Sequence, residues 1–484
     1  MTEELSTNEL REQRIENMRK LEELGYPPFG KSYADTIPIA NIGSEFEEGK
    51  KVRLAGRLVS RRIMGKSSFA HIQENGCRFQ VYAKKNVIGE DEFAAFKILD
   101  IGDIIGVEGE LFVTRTGEQT LKIESWVLLS KSLLPLPEKW HGLQDKETRY
   151  RQRYVDLIAN PDVMRLFRQR TEAISIIRKH LEDQGFYEVE TPMLQALAGG
   201  AAAEPFKTYY NALSSDMYLR IAPELYLKRL LVGGFDKVFE LNRNFRNEGL
   251  DRSHNPEFTM VELYQAYGDV ETMKTLVKGL ITEVAEKVFG KLEVGTEEEP
   301  VDLRPEAWRE VEYNELIKEK AGDDWFDLEL KAAQERAGEL GCDIDPEWDM
   351  VETTQEVFEK LIEKTLLNPT FVTRLPAQLV PLAKPCEDND NLVDVFELII
   401  GGKEIAPAYT ELNDPIEQKK RFLEQAGGDE SKIDMDFITA LEHGMPPAGG
   451  MGIGIDRLII LLSGAHSIRD VILFPHLKSL ANQQ

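Results

Sequence analysis

At 484 residues the chain exceeds the roughly 250–300 residues at which one hydrophobic core stops growing, so two or more domains are expected. With 42% apolar and 30% charged residues it is not a disordered sequence, and no stretch approaches the roughly 18 apolar residues of a membrane span. The formal net charge of −26 argues against a protein that coats nucleic acid through a general positive field, and three scattered cysteines, Cys77, Cys342 and Cys386, support neither a zinc site nor a disulfide framework.

The start, Met1 to Leu10, is polar and acidic without the apolar stretch of a secretory signal, so a cytoplasmic protein with no membrane partner is expected. Asn8 to Leu24 sets Leu and Ile at helical spacing and stops at Gly25 and Pro27-Pro28, which predicts a solvated helix. From Val52 to Leu129 come five β-patterned runs, VRLAGRLVSRR, SFAHIQ, RFQVYA, IIGVEGELFVTRTGE and LKIESWVLL. Five short strands separated by turn residues predict a small barrel of the oligonucleotide-binding type. Lys50 to Lys66 carries seven cations and no acid. Beside Phe69, His71 and Phe79, that run suits single-stranded bases, which stack on rings next to positive charge; a β-domain without ligand is the alternative.

A proline-punctuated connector, Leu133 to Leu143, closes this region, and mixed α and β patterning follows. Asp162 to Gln184 carries a helical apolar stripe, ends at Gly185 and runs into the strand FYEVE. Glu271 to Phe371 is acidic and helix-rich and reads as an insertion, and Phe371 to Leu480 returns to short strands before a Gly-rich segment enters a helix. The expected division is a helical extension at 1–45, a barrel at 46–135 and an α+β domain at 136–484, with the insertion at about 290–370.

The most informative stretch is VFELNRNFRNEGLDRSHNPEFTMVELYQAY, Val238 to Tyr267. Two β-patterned runs flank the polar loop Asn247 to Glu257, which predicts an antiparallel hairpin. Strand alternation then puts Phe258, Met260, Glu262 and Tyr264 on one face, with Arg246 near the mouth. A carboxylate on an interior sheet face costs several kcal/mol if unpaired, so Glu262 either pairs with a nearby Arg or Lys or belongs to a ligand site. In FELIIGGKEI, a two-residue turn at Gly401-Gly402 would set Ile399 opposite Glu404 and bring Glu397 to the same face, a pair of hard oxygen donors.

These blocks resemble the class II aminoacyl-tRNA synthetases, and within them the lysyl-tRNA synthetases, over nearly all the chain from Val52 onward. FRNEGLDRSHNPEFTMVELY is similar to the family's motif 2, GMGIGIDRL (Gly450 to Leu458) to motif 3, and the helix leading into VETPML (Val189 to Leu194) to motif 1. RIAPELYLKRLLVGGF, HGLQDKETRYRQRYVDL and HSIRDVILFP are also family-like. The resemblance implies a five-stranded OB-fold barrel that reads an anticodon, joined to a catalytic domain on a mixed, mainly antiparallel sheet flanked by helices. It implies that ATP activates L-lysine to lysyl-adenylate, that lysine passes to the 3′ end of tRNA(Lys), and that the enzyme is a homodimer.

By the same resemblance, Arg246 bridges the α-phosphate and the substrate carboxylate, Arg457 lies over adenine and reaches the terminal phosphate, and Phe258 stacks on the other adenine face. Glu248 and His254 are further ATP contacts. Glu397 and Glu404 hold Mg2+. Glu262, Tyr264 and Glu411 hold the ε-ammonium of lysine, and Glu224 and Gly200 the α-amino group. Phe69, Arg61 and Gln80 bind the anticodon. Two positions depart from the pattern: Ala406-Pro407 replaces a Gly-Asn or Cys-Asn pair, and Glu204 stands where the family has a basic residue. The resemblance leaves two rivals: a paralogue that lysylates a protein, against which the barrel and Gly452 argue, and a non-catalytic nucleic-acid-binding derivative, against which both arginines and both glutamates argue.

Overall fold

The computed structural model describes residues 6–137, 143–201, 203–296 and 299–478. Met1 to Leu5, positions 138–142 of the connector and of the block HGLQDKETRY, Ala202, and the last two positions of the stretch to Leu480 lie outside the described residues. The chain divides into two compact units, Met1–Arg165 and Leu166–Gln484.

In the first unit, helix α1 (Thr7–Glu23) begins at a capping box in which Ser6 and Glu9 satisfy each other's backbone N–H groups. Five strands, β1 (Lys51–Met64), β2 (Ser67–Glu74), β3 (Cys77–Lys84), β4 (Ile104–Val113) and β5 (Gln119–Ser130), close into a barrel in the order β1-β2-β3-β5-β4. Every neighbouring pair is antiparallel except β3 and β5. Leu54, Leu58, Ile72, Val81, Val107 and Ile123 point inward and are fully buried together with Leu21 of α1. The five-strand barrel read from the sequence is therefore present, and closure leaves no unpaired edge.

The second unit is built on an eight-stranded sheet. Helix α3 is preceded in chain order by α2 (Glu90–Phe96) of the first unit; α3 spans Pro161–Asp183. The further elements are β6 (Tyr187–Glu188), α4 (Glu224–Val232), β7 (Lys237–Phe245), β8 (Glu257–Ala266), α5 (Val270–Val284) and β9 (Arg309–Glu312). After them come α6 (Tyr313–Ala321), α7 (Leu330–Glu339), α8 (Met350–Val357), β10 (Thr370–Thr373), β11 (Val395–Ile399), β12 (Glu404–Thr410), β13 (Ala448–Gly454) and α9 (Ile455–Ser463).

The sheet order is β9-β10-β11-β12-β13-β8-β7-β6. Its two outermost joints are parallel and the five between them antiparallel, the mixed, mainly antiparallel sheet of the expected α+β class. Ile177 and Leu181 of α3, Val277 and Leu280 of α5, and Leu458 and Ile459 of α9 cover one face, packing on Phe239, Val261, Leu263, Met451 and Ile453. The residues between these in each strand, Glu240, Glu262, Tyr264, Gly450 and Gly452, belong to the opposite face, so one sheet separates core from site. Of the strand FYEVE only Tyr187 and Glu188 enter the ladder, and Pro192 follows. Helices α6 to α8 form a subsidiary core around Trp325, whose Nε1 donates to Thr354 Oγ1 at 3.0 Å. No helix among the described residues is long and apolar enough to cross a membrane.

Candidate active site and nucleic-acid face

The hairpin of β7 and β8 has the register Glu240↔Glu262, Asn242↔Met260 and Asn244↔Phe258, so Phe258, Met260, Glu262 and Tyr264 do share one face. At its mouth the Arg246 backbone N–H donates to Pro256 O at 2.9 Å, which sets the guanidinium 5.1 Å from the centre of the Phe258 ring. Arg457, in the first turn of α9, donates from Nη1 to Glu404 O at 2.9 Å and lies 3.5 Å from His254 Nε2. His254 is fixed in turn by Asp251, 2.7 Å from its Nδ1. Arg246, Glu248, His254, Phe258 and Arg457 line one cleft together with Met260, Pro407, Gly452 and Gly454. All five residues expected at a nucleotide are thus brought together, around a ring with a guanidinium over it and a second guanidinium nearby.

Glu404 reaches this cleft through its hairpin. Gly401 and Gly402 have φ of +62° and +66°, and Ile400 N donates to Lys403 O at 3.0 Å, a two-residue turn that glycine enters without strain. Ile399 pairs with Glu404 as expected, but the next pairs are Leu398↔Ala406 and Glu397↔Pro407, so Ile405 is a bulge. The bulge returns Pro407 to the face that carries Glu397 and Glu404. Desolvation and the charges of Glu404, Glu363 and Glu359 push the Glu397 carboxyl up to about 8, a deficit of positive charge at this spot. Among the described residues no three His, Cys, Asp or Glu side chains form a ready metal cage. Two hard carboxylates without a cage suit Mg2+, which keeps waters and takes substrate phosphates as its other ligands.

Deeper on the same face lie Glu224, Glu262, Tyr264 and Glu411, each 5% exposed or less. The Tyr264 hydroxyl donates to Glu262 Oε2 at 3.3 Å, and the Tyr409 hydroxyl donates to Glu224 Oε1 at 2.7 Å. Among the described residues Glu262 makes no ion pair, which answers the alternative that it serves a structural Arg or Lys. Burial, and then the charge of Glu224, hold its carboxyl well above the usual range, with Tyr264 and Arg246 working the other way. Glu411 is pushed up to about 8 by burial, against the pull of Lys228. Space for these groups comes from absent side chains on β13. A Cβ at Gly450 would fall 2.0 Å from Glu411 Oε1, and one at Gly452 would fall 3.1 Å from Met260 Cε. Gly200 abuts the set, since a Cβ there would meet Glu224 Cβ at 3.1 Å.

Lys228 and Tyr409 are the residues sequence reading missed. The Glu224–Lys228 spacing of four within ELYLK is a helical ion-pair signal, and Tyr409 shares strand parity with Glu411. Of the two departures, Pro407 lines the cleft and has no N–H to offer, while the exposed Glu204 contributes its backbone O to Asn247 N at 2.7 Å.

On the barrel, Phe69 pairs across strands with Arg62 on one side and with Tyr82 on the other, its ring 4.6 Å from that of Tyr82, and His71 pairs with Ser60 and Gln80. Ser60, His71, Gln80 and Glu118 border a common cavity. The structure does not bring Arg61 to this face: its Nη1 donates to Phe96 O, the C-terminal residue of α2, at 2.9 Å, and burial lowers its pKa. Phe79 is 8% exposed and belongs to the barrel core, so Tyr82, not Phe79, extends the aromatic row. The basic run is also less free than it reads, because Lys51 and Arg53 pair with Glu124 and Glu108 and Arg57 donates to Gly102 O.

Comparison with known proteins agrees with both halves. The family of class II tRNA synthetases (D, K and N) matches residues 145–478, and the OB-fold nucleic acid binding domain family matches residues 52–129. The chain is 52% identical to the lysine–tRNA ligase of Carboxydothermus hydrogenoformans, over 97% of this chain and 98% of that protein. It is 48% identical to the lysine–tRNA ligase of Syntrophomonas wolfei over 99% of each, and 52% identical to that of Aquifex aeolicus over 89% of this chain and 73% of the relative.

Proposed function

We infer, since the chain belongs to the class II tRNA synthetases (D, K and N), that it is a lysine–tRNA ligase, an ATP-dependent enzyme that charges tRNA. The observation that carries the choice of lysine is the buried set Glu224, Glu262 and Glu411 behind Met260 and Gly452. Carboxylates held out of water attract an amine and repel an aspartate side chain, and their alignment before substrate arrives lowers the cost of binding.

In this reading Glu262, Tyr264 and Glu411 receive the ε-ammonium, and Glu224 with the Gly200 backbone receives the α-amino group. Arg246 orients the lysine carboxylate against the α-phosphate. A carboxylate oxygen attacks phosphorus in line, the bond to pyrophosphate breaks, and lysyl-adenylate forms. The terminal ribose hydroxyl of tRNA(Lys) then attacks the carbonyl, the bond to the phosphate oxygen breaks, and AMP leaves. Phe258 holds adenine from one side and Arg457 from the other, with Glu248 and His254 beside it. No side chain becomes a nucleophile, so rate comes from orientation and from positive charge fixed where negative charge develops. Glu397 and Glu404 would hold Mg2+, which when bound offsets the charge of the triphosphate.

The barrel reads the anticodon through the row of Phe69, Tyr82, Gln80 and Arg62. We take 1–45 as the extension, 46–135 as the barrel and 136–484 as the catalytic domain with its insertion at about 290–370. Tyr187, Leu194, Tyr209, Tyr210, Leu213 and Phe235 are 41–65% exposed, an apolar surface that supports a homodimer. The working compartment is the cytoplasm. Lysine-dependent exchange of labelled pyrophosphate into ATP tests the assignment: exchange with lysine is expected, and exchange with aspartate alone would reject it.

A further inference from the structure

One buried cation in the amino-acid pocket faces the protein's own carboxylates. The Lys228 side chain is wholly buried; its ammonium lies 2.7 Å from Glu224 Oε1 and pairs with Glu411 Oε2. It also lies 5.5 Å from the centre of the Tyr409 ring and 6.0 Å from that of Tyr264. Burial alone lowers the pKa of an ammonium, yet that of Lys228 is raised, because Glu224 and Glu411 outweigh its burial. Glu262, the third carboxylate, makes no ion pair among the described residues. Among the described residues Lys228 thus pairs with two of the three acids and leaves Glu262 without an ion-pair partner, open to an ammonium of free lysine, whose carboxylate Arg246 addresses.

We propose that Lys228 is a positioning residue of the amino-acid pocket, holding the Glu224 and Glu411 carboxylates in place as acceptors for the ammonium groups of the substrate. This rests on the lysine reading above. The groups facing Lys228 are Glu224 on its own helix, Glu411 and Tyr409 from the β12 segment, and Tyr264 from β8, beside which stands Glu262. Without the ammonium, Glu411 loses the charge that opposes its burial and repels Glu224 unscreened, so it stays protonated to higher pH and an ionised acceptor for the substrate is lost.

The test is lysine-dependent pyrophosphate exchange by the full chain with Lys228→Met, which keeps length and removes charge, and with Lys228→Ala supplied with propylammonium. At neutral pH the Lys228→Met variant is expected to raise the KM for lysine about 30-fold with the KM for ATP unchanged, the size of one lost charge-assisted hydrogen bond. The gap narrows as pH rises, because Glu411 regains its charge. Propylammonium, but not propanol, restores Lys228→Ala in part, which also covers the case that the Met variant fails to fold. An unchanged lysine KM and pH profile overturns the proposal. So does a joint rise in both KM values with a lower melting temperature and no effect of propylammonium. Absence of lysine-dependent exchange in the unmodified protein would sink the lysine reading itself, whereas exchange that Lys228→Met leaves untouched sinks this proposal alone.

Discussion

The outward face of the barrel and the site face of the eight-stranded sheet are both β-surfaces that carry charge, and they manage it in opposite ways. On the barrel, Arg62 is exposed and the Phe69 ring is half-buried, so a ligand there gives up little water and each contact acts nearly alone. Over the site face of the sheet, Glu224 of α4, Glu262 and Glu411 are almost without solvent, and each is bound to Lys228 or to a tyrosine hydroxyl. Buried charges act at a lower dielectric and have no water to fall back on. Substitutions in the sheet should therefore cost far more than substitutions on the barrel, and should change a different step.

The sharpest way to break that contrast is Arg246→Ala. Its guanidinium is the cation between the adenine plate and the deep acids, and it is given the role of neutralising charge in the transition state. Loss of about a thousand-fold or more in pyrophosphate exchange is expected, with melting temperature little changed. A loss below ten-fold would remove Arg246 from the reaction.

Glu262→Gln is next, at about 100-fold in lysine KM, because a neutral amide replaces a charged acceptor. The unliganded protein should melt a few degrees higher. Glu262 has its pKa raised by folding, so ionisation above the unfolded value favours the unfolded chain, and that penalty persists at neutral pH. Removing the charge removes the penalty. The Glu411 carboxyl, pushed up to about 8, predicts that kcat/KM for lysine climbs between about pH 7 and pH 9 as it ionises while the substrate ε-ammonium stays charged, and the raised pKa of Glu262 acts in the same direction. A profile flat over that range, together with a lower melting point for the glutamine variant, would place Glu262 in a structural pair instead.

Phe69→Ala is expected to raise the KM for tRNA about ten-fold in the charging reaction while pyrophosphate exchange stays as it was, since one stacked base is worth roughly 1–3 kcal/mol. Equal loss in both reactions would show that barrel and sheet are not energetically separate, and the comparison would fail.

What the sequence made legible follows the regularity of the strands. Strict alternation holds along β8, so spacing alone places Phe258, Met260, Glu262 and Tyr264 on one face, and each of the five barrel runs forms one strand. Bulges break strict alternation at two other places. In β1 the pairing shifts between Leu58 and Ser60, so a count from Leu54 and Leu58 puts Arg61 outward whereas the folded strand turns it in and turns Arg62 out. In β12 the bulge at Ile405 moves Pro407 back to the face of Glu404, which alternation would not give. Lys228 escaped for another reason. A lysine buried among acids looks, in a sequence, like any helix-surface lysine four residues after a glutamate.

The β1 bulge yields the smallest prediction and the one that separates geometry from composition. Arg61 and Arg62 are adjacent, equally basic and in the same run, so a reading by charge alone makes them interchangeable. The folded strand does not: Arg62 sits across from Phe69, and Arg61 is tied to the Phe96 carbonyl. Arg62→Ala should weaken tRNA charging only about three-fold at low salt, and the slope of log affinity against log salt should fall by about 0.7, the release of one counterion from a single strand. Arg61→Ala should leave that slope alone and lower the melting temperature of the barrel, because a buried carbonyl loses its donor. If the salt slope instead follows Arg61, the bulge does not re-aim this strand in the working protein, and the face that reads the tRNA must be drawn again from the other side of β1.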